Sequence, residues 1–213
     1  MRNYEKENRI IDEKIKSELK PFLDGLSAGI DSRAHGLFRA AYSDFKERYE
    51  RTREIRSYAM KGLFAKTHAV KDSIQLMFSY LGLVESLGTA LADILIMLLV
   101  ANGIDFHIER SSRFPRIKHA LRMKDLEDEY TPLKAKLNFL KENGILTLPS
   151  IIDTETRNSI AHMNFEVKGS QVLTKGKPIE ESLLESERKL LHASNTITDL
   201  LGRSIVKKVA HNA

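Results

Sequence analysis

A chain of 213 residues with 42% hydrophobic and 30% charged side chains can bury a sizeable core, as one large domain or as one domain with an extension. The absence of cysteine excludes a disulfide framework, a thiolate metal site and a Cys nucleophile, and the seven histidines neither cluster at ligand spacings nor form an H-E-x-x-H. The net charge of +5 is compatible with an RNA partner without demanding one.

Glycine (11) and proline (5) are scarce, which favours long helices over a turn-rich β fold. The first residues, Met1 to Glu7, lack the apolar core of a signal peptide. The most apolar run, Ile94 to Ala101, falls short of the ~20 residues that a membrane span needs, and Asp93 and Glu85 interrupt it upstream. A cytoplasmic protein with no membrane partner is expected.

Residues 4–28 read as an amphipathic helix with Ile11, Ile15, Leu19, Phe22 and Leu26 on one face, Pro21 as a candidate kink and Gly25 to Gly29 as its end. Asp31 or Ser32 can cap a second helix, which carries Leu37, Phe38, Ala41, Tyr42, Phe45 and Tyr49 on one face. The charged run Lys46 to Arg56 follows. It reads either as an RNA-contacting arm or as a solvated face laced with i, i+4 ion pairs, and the alternation of acids and bases favours the second.

The spacing predicts a long helix over 66–102, with Met77, Tyr80, Val84, Leu87, Leu91, Ile94, Leu95 and Leu98 in one apolar stripe. Its opposite face, Gly82, Ser86, Thr89, Asp93, Ile96 and Val100, is small or apolar rather than charged. Such a helix sits in the middle of a bundle or meets a second protomer. Glu85 and Asp93 are candidate catalytic acids or, with more weight, partners of a basic side chain such as Arg157 or groups that reach solvent at the edge of the stripe. Asn102-Gly103 is a helix stop.

A basic strip comes next. Arg110, Arg113, Arg116, Lys118, Arg122 and Lys124 are six cations with no acid among them, either a phosphate-contacting strip or a loop that caps acidic helix ends. Residues 125–143 return to helix through Leu126, Tyr130, Leu133, Leu137 and Leu140, and stop at Asn143-Gly144.

The segment Pro149 to Met163 is the most informative in the chain. As one helix opening after Pro149, with Ser150 as N-cap and Asp153 three residues on, it puts Ile152, Thr156, Ile160 and Met163 on a buried stripe, at about 100° per residue. Thr154, Arg157, Asn158, Ala161 and His162 fall on the far side. Asn158 and His162 are i, i+4 neighbours, so one can hold the other. A permanent guanidinium, an amide and an imidazole on one outward face suit a phosphate with an adjacent hydroxyl.

Beyond it, residues 164–178 alternate apolar and polar around Lys168-Gly-Ser-Gln, a short β-hairpin. A last helix runs from Ile179 to about Val209 with Leu183, Leu184, Leu190, Leu191, Ile197, Leu200, Leu201 and Ile205. The expected fold is all-α: an up-and-down bundle of about four long core helices, a short β-hairpin before the last, and an N-terminal helical hairpin (1–65) extending the bundle (66–213).

Arg157-Asn-Ser-Ile-Ala-His162 resembles the R-x4–6-H signature of the HEPN superfamily, helical ribonucleases common in toxin–antitoxin, CRISPR-associated and phage-defence systems. The residue after the arginine is usually polar there, as Asn158 is here. Arg113 to His119 also satisfies R-x5-H, but Phe114 replaces the polar residue and Pro115 disturbs a continuing helix. The resemblance extends over 66–213 and rests on those six residues. It implies four core helices with the motif on the third. It also implies a metal-independent endoribonuclease without cofactor, in which Arg157 clamps the phosphate, His162 carries protons and Asn158 orients the imidazole or bonds a phosphate oxygen. A homodimer bringing two copies of Arg157 and His162 together would supply both a base and an acid. The strip from Arg110 to Lys124 would contact RNA, and an antitoxin or regulatory protein is a further expected partner. A non-catalytic dimer binding RNA, nucleotide or a protein is the alternative. Relatives paired with nucleotidyltransferase antitoxins carry R-x4-H-x-Y, whereas Met163-Asn164 follows here, so modification of that Tyr does not carry over.

Overall fold

The computed structural model describes residues 4–28, 32–64, 70–106, 122–126, 132–169 and 171–211. Among these the chain is a helical bundle with one small sheet, as the stripes predict. Helix α1 spans Tyr4–Ala28, α2 Ser32–Arg51 and α3 Arg53–Phe64. The long central helix is α4 (Val70–Leu83), a π-helical turn (Val84–Gly88) and α5 (Thr89–Ala101) in unbroken succession. After a 3-10 turn (Met123–Leu126) come α6 (Leu133–Glu142), α7 (Thr147–Ile151) and α8 (Thr154–Ala161). Strands β1 (Glu166–Lys168), β2 (Gln171–Thr174) and β3 (Lys177–Pro178) lead into α9 (Glu180–His211).

Helix α5 is the axis of the core. Every residue from Ala90 to Leu99 is buried, because α2, α6 and α1 cover it from different sides. Its two apolar faces are thus both used within a single chain. The helix Ser73–Ala101 is long and apolar enough to cross a membrane, contrary to the short run expected, but 78% of its most apolar window is buried by the rest of the fold. Asp93 sits in the middle of that apolar surface. It is held by Lys136 of α6 at 2.7 Å and by Arg48 of α2 at 3.0 Å rather than by Arg157.

The N-terminal helices join the same core. Ile11, Ile15, Leu19 and Leu26 of α1 pack on α9, and Phe38, Ala41, Phe45 and Tyr49 of α2 pack on α5. Polar pairs line the α1–α9 seam: Arg188 grips Glu7 and Asn8 and lies over the Tyr4 ring, while Asp12 accepts from Thr196 at 2.5 Å and meets His192 at 2.8 Å. The charged run after Phe45 is part solvated and part structural. Arg51 pairs loosely with Glu47 at 3.7 Å, whereas Arg48 turns inward to Asp93 and Arg56 folds back over the Tyr49 ring.

Three elements differ from expectation. Helix α6 starts at Leu133, not near 125, because Pro132 has no N–H to continue a helix from its N-terminal side, and Met123–Leu126 closes a 3-10 turn instead. The hairpin acquires a third strand: Lys175 (φ 51°) and Gly176 (φ 75°) make a tight two-residue turn of the type that pairs antiparallel strands, setting Thr174 against Lys177. The segment 147–163 is two helices rather than one. Both stops, Asn102-Gly103 (φ 83°) and Asn143-Gly144 (φ 82°), stand where the glycines permit a left-handed residue.

Candidate functional site

The break in the motif segment has a local cause. Ser150 does not cap; its hydroxyl donates back to the Thr147 carbonyl at 2.7 Å, inside α7. Asp153 caps instead, its carboxylate accepting from the Glu155 N–H at 2.9 Å, the Thr156 N–H at 3.1 Å and the Thr156 hydroxyl at 2.6 Å. Partial burial raises the Asp153 carboxyl, but these hydrogen bonds outweigh it and hold the group below the usual carboxylate range. Ile152, extended between the two helices, is thereby free to bury its side chain against Gly88 of the π-helical turn. A Cβ at Gly88 would lie 3.1 Å from Ile152 Cδ1, so the close approach relies on the missing side chain.

Helix α8 is fixed from several directions. Ile160 is fully buried, and Tyr80 of α4 donates to the Asp153 carbonyl at 3.3 Å. Lys175 in the sheet's second turn pairs with Glu155 at 2.8 Å. Upstream, Glu18 of α1 caps α7 by accepting from the Thr147 N–H at 3.0 Å and its hydroxyl at 2.7 Å. The N-terminal helix thus supports the segment that carries the motif.

At the other end, α8 stops two residues sooner than its apolar pattern suggests. His162 is the C-cap, and Met163 enters the left-handed region at φ 56°. The Asn164 N–H bonds the Ser159 carbonyl at 2.7 Å and the Met163 N–H bonds Ile160 at 3.1 Å, a Schellman ending with methionine where glycine is usual. Met163, expected in the buried stripe, is consequently 61% exposed.

The motif residues do share the outward side of α8. Asn158, Ala161 and His162 are exposed and Arg157 is half-buried. Arg157 pairs with Glu85, the second residue of the π-helical turn, through both its Nε and its Nη2. Its Nη1 donates to Asn158 Oδ1 at 2.7 Å. Asn158 therefore orients the guanidinium rather than the imidazole, its side-chain oxygen being taken by its neighbour. His162 approaches Asn158 only through its backbone N–H, at 3.0 Å, and its ring has no hydrogen-bond or ionic partner among the described residues. The ion-pair expectation for Glu85 is met by Arg157, whereas the π-helical turn beneath it has no sequence signal in the stripe, although such turns recur at functional sites.

Of the basic strip, Arg110, Arg113, Arg116 and Lys118 lie outside the described residues. Arg122 and Lys124 are exposed. Arg122 is not an unneutralised cation, since Asp125, just past the strip, accepts from its guanidinium at 3.3 Å and from its backbone N–H at 2.9 Å. Among the described residues no cluster of three or more His, Asp or Glu side chains could hold a metal ion.

No family model, no curated protein and no solved structure matches the chain.

Proposed function

We propose that the chain is a HEPN-type endoribonuclease cutting single-stranded RNA without a metal, acting in the cytoplasm in a toxin or phage-defence role. What carries the reading is the C-terminal end of α8, where Arg157, Asn158 and a His162 whose ring has no partner among the described residues meet solvent together, followed by a small sheet and a final long helix. A charge-fixed guanidinium neutralises a phosphate, an imidazole transfers a proton, and neither step calls for a metal.

A homodimer fits the same face. Phe78 of α4, seven residues and about two turns before Glu85, is 47% exposed, and Met163 follows His162 in the chain. Exposed apolar side chains of this size at a polar site favour cover by a second chain, which would bring two sites together. An antitoxin or regulatory protein would compete for this face.

The alternative, a module that binds RNA, nucleotide or protein without cutting, is favoured by one observation: Glu85 already occupies the guanidinium that would hold the phosphate. The test is cleavage of single-stranded RNA in EDTA, read by product ends. The nuclease leaves cyclic 2′,3′-phosphates, loses activity with His162→Ala and Arg157→Ala, and recovers only partly with Arg157→Lys, which lacks the planar fork. No cleavage by the wild type, or equal cleavage by His162→Ala, leaves the binding module.

A further inference from the structure

Cleavage of RNA through its 2′-hydroxyl needs two proton carriers on opposite sides of the phosphorus, one beside the 2′-oxygen and one beside the departing 5′-oxygen. His162 is one. Close to Arg157 lies a second titratable group that the motif does not contain, the Glu85 carboxylate. We propose that Glu85 is the general base of this site and His162 its general acid, an assignment that rests on the nuclease reading above.

Three observations carry it. Glu85 reaches Arg157 from a different element, so the guanidinium joins the carboxylate to the motif. The pair is open to solvent: Glu85 keeps 42% of its side-chain surface and Arg157 28%, so a substrate can reach both. And Glu85 is presented by the π-helical turn, where Ser86 donates to the Gly82 carbonyl at 2.6 Å and Ile152 packs against Gly88. The turn that seats α8 is the turn that aims Glu85.

At ~1.5 Å per residue, the His162 backbone stands about 7.5 Å along the axis from that of Arg157. In the proposed complex a phosphate shares the guanidinium with Glu85, the carboxylate serving one side of phosphorus and the imidazole the other. In the step itself, the Glu85 carboxylate takes the 2′-hydroxyl proton, the 2′-oxygen bonds to phosphorus, and the bond from phosphorus to the 5′-oxygen breaks. Protonated His162 gives its proton to that oxygen. The products are a 2′,3′-cyclic phosphate and a 5′-hydroxyl. Glu85 ends protonated and His162 neutral, and exchange with water resets both. One chain supplies both carriers, so acid–base chemistry does not require a second His162.

The test is the pH profile of single-turnover cleavage, on folded protein checked by thermal melting, for wild type, Glu85→Gln, Glu85→Asp and His162→Ala. The expected wild-type profile is bell-shaped. Glu85→Gln lowers the rate about 100-fold or more and removes the acid-side rise, as loss of a general base does, while Glu85→Asp keeps the bell at reduced height. Glu85→Gln that cuts within about threefold of wild type, or that slows with both limbs of the bell intact, overturns the assignment, the second outcome meaning that Glu85 acts only through Arg157. If His162→Ala is inactive in that same experiment, the nuclease reading survives the loss of Glu85. A wild type that cuts nothing ends both.

Discussion

Lys136 of α6 and Asp93 of α5 meet at 2.7 Å in a part of the core where neither side chain reaches water, with Arg48 of α2 as the third member. Asp93→Asn leaves the Lys136 ammonium buried beside a neutral amide. The expected cost is about 3–5 kcal/mol, the usual consequence of removing one partner of a buried pair, measured as a fall in the urea midpoint with an unchanged slope.

Glu187 of α9 is fully buried, faces the Ser79 hydroxyl of α4, and completes no hydrogen bond at either carboxylate oxygen among the described residues. Burial pushes its carboxyl up to about 7, the Ser79 hydroxyl offsetting part of the rise. The folded chain therefore holds a proton that the unfolded chain has released. Stability is fully present below the ordinary carboxyl pKa near 4.5, falls as pH rises through about 7, and levels off above it, a loss of roughly 3 kcal/mol. Glu187→Gln flattens this dependence, and melting temperatures of both proteins at pH 5 and pH 8 read the difference.

Met163→Gly relieves the left-handed backbone that ends α8. The gain is about 1 kcal/mol, the side-chain penalty in that region less glycine's entropy. Asp153→Ala, at the other end, costs about 1 kcal/mol by uncapping the helix. Thermal melts of the two single variants and their combination would show opposite signs that add, since the sites lie a helix apart.

Sedimentation at micromolar concentration should give a dimer for the wild type and a monomer for Phe78→Glu with Met163→Glu. A wild-type monomer removes the shared face.

Reversal of Arg113, Arg116 and Arg122 to Glu should weaken RNA binding and lower the slope of log affinity against log salt. On a single strand the slope should fall by about 0.7 for each phosphate that the protein ceases to neutralise. An unchanged slope assigns the strip no role in holding phosphates.

The helical stripes were legible because burial repeats with the helix period. Ile11 to Leu26, Phe38 to Tyr49, Met77 to Leu98 and Leu183 to Leu201 mark their elements without help from tertiary structure. The site was legible only as a list of side chains on one face. What positions them depends on groups distant in sequence: Glu85 on Arg157, Glu18 on Thr147, Tyr80 on Asp153. The local errors share a cause. Asp153 and Met163 sit inside an unbroken apolar period, so a rule based on period runs through both, while the backbone follows a carboxylate cap at one and a left-handed residue at the other.

The seam between α1 and α9 also has a consequence for synthesis. Asp12 finds its partners 180 and 184 positions later, and at about 5–20 residues per second the ribosome delivers them only after roughly 10–40 s. Over that interval Ile11, Ile15 and Leu19 are without α9, and α1 has its contacts with α5 and α7 to hold it in place, with Glu18 capping α7. The seam is therefore completed at the end of translation, when the C-terminal helix closes over the N-terminal one, and a chain cut short before α9 would carry every motif residue without it.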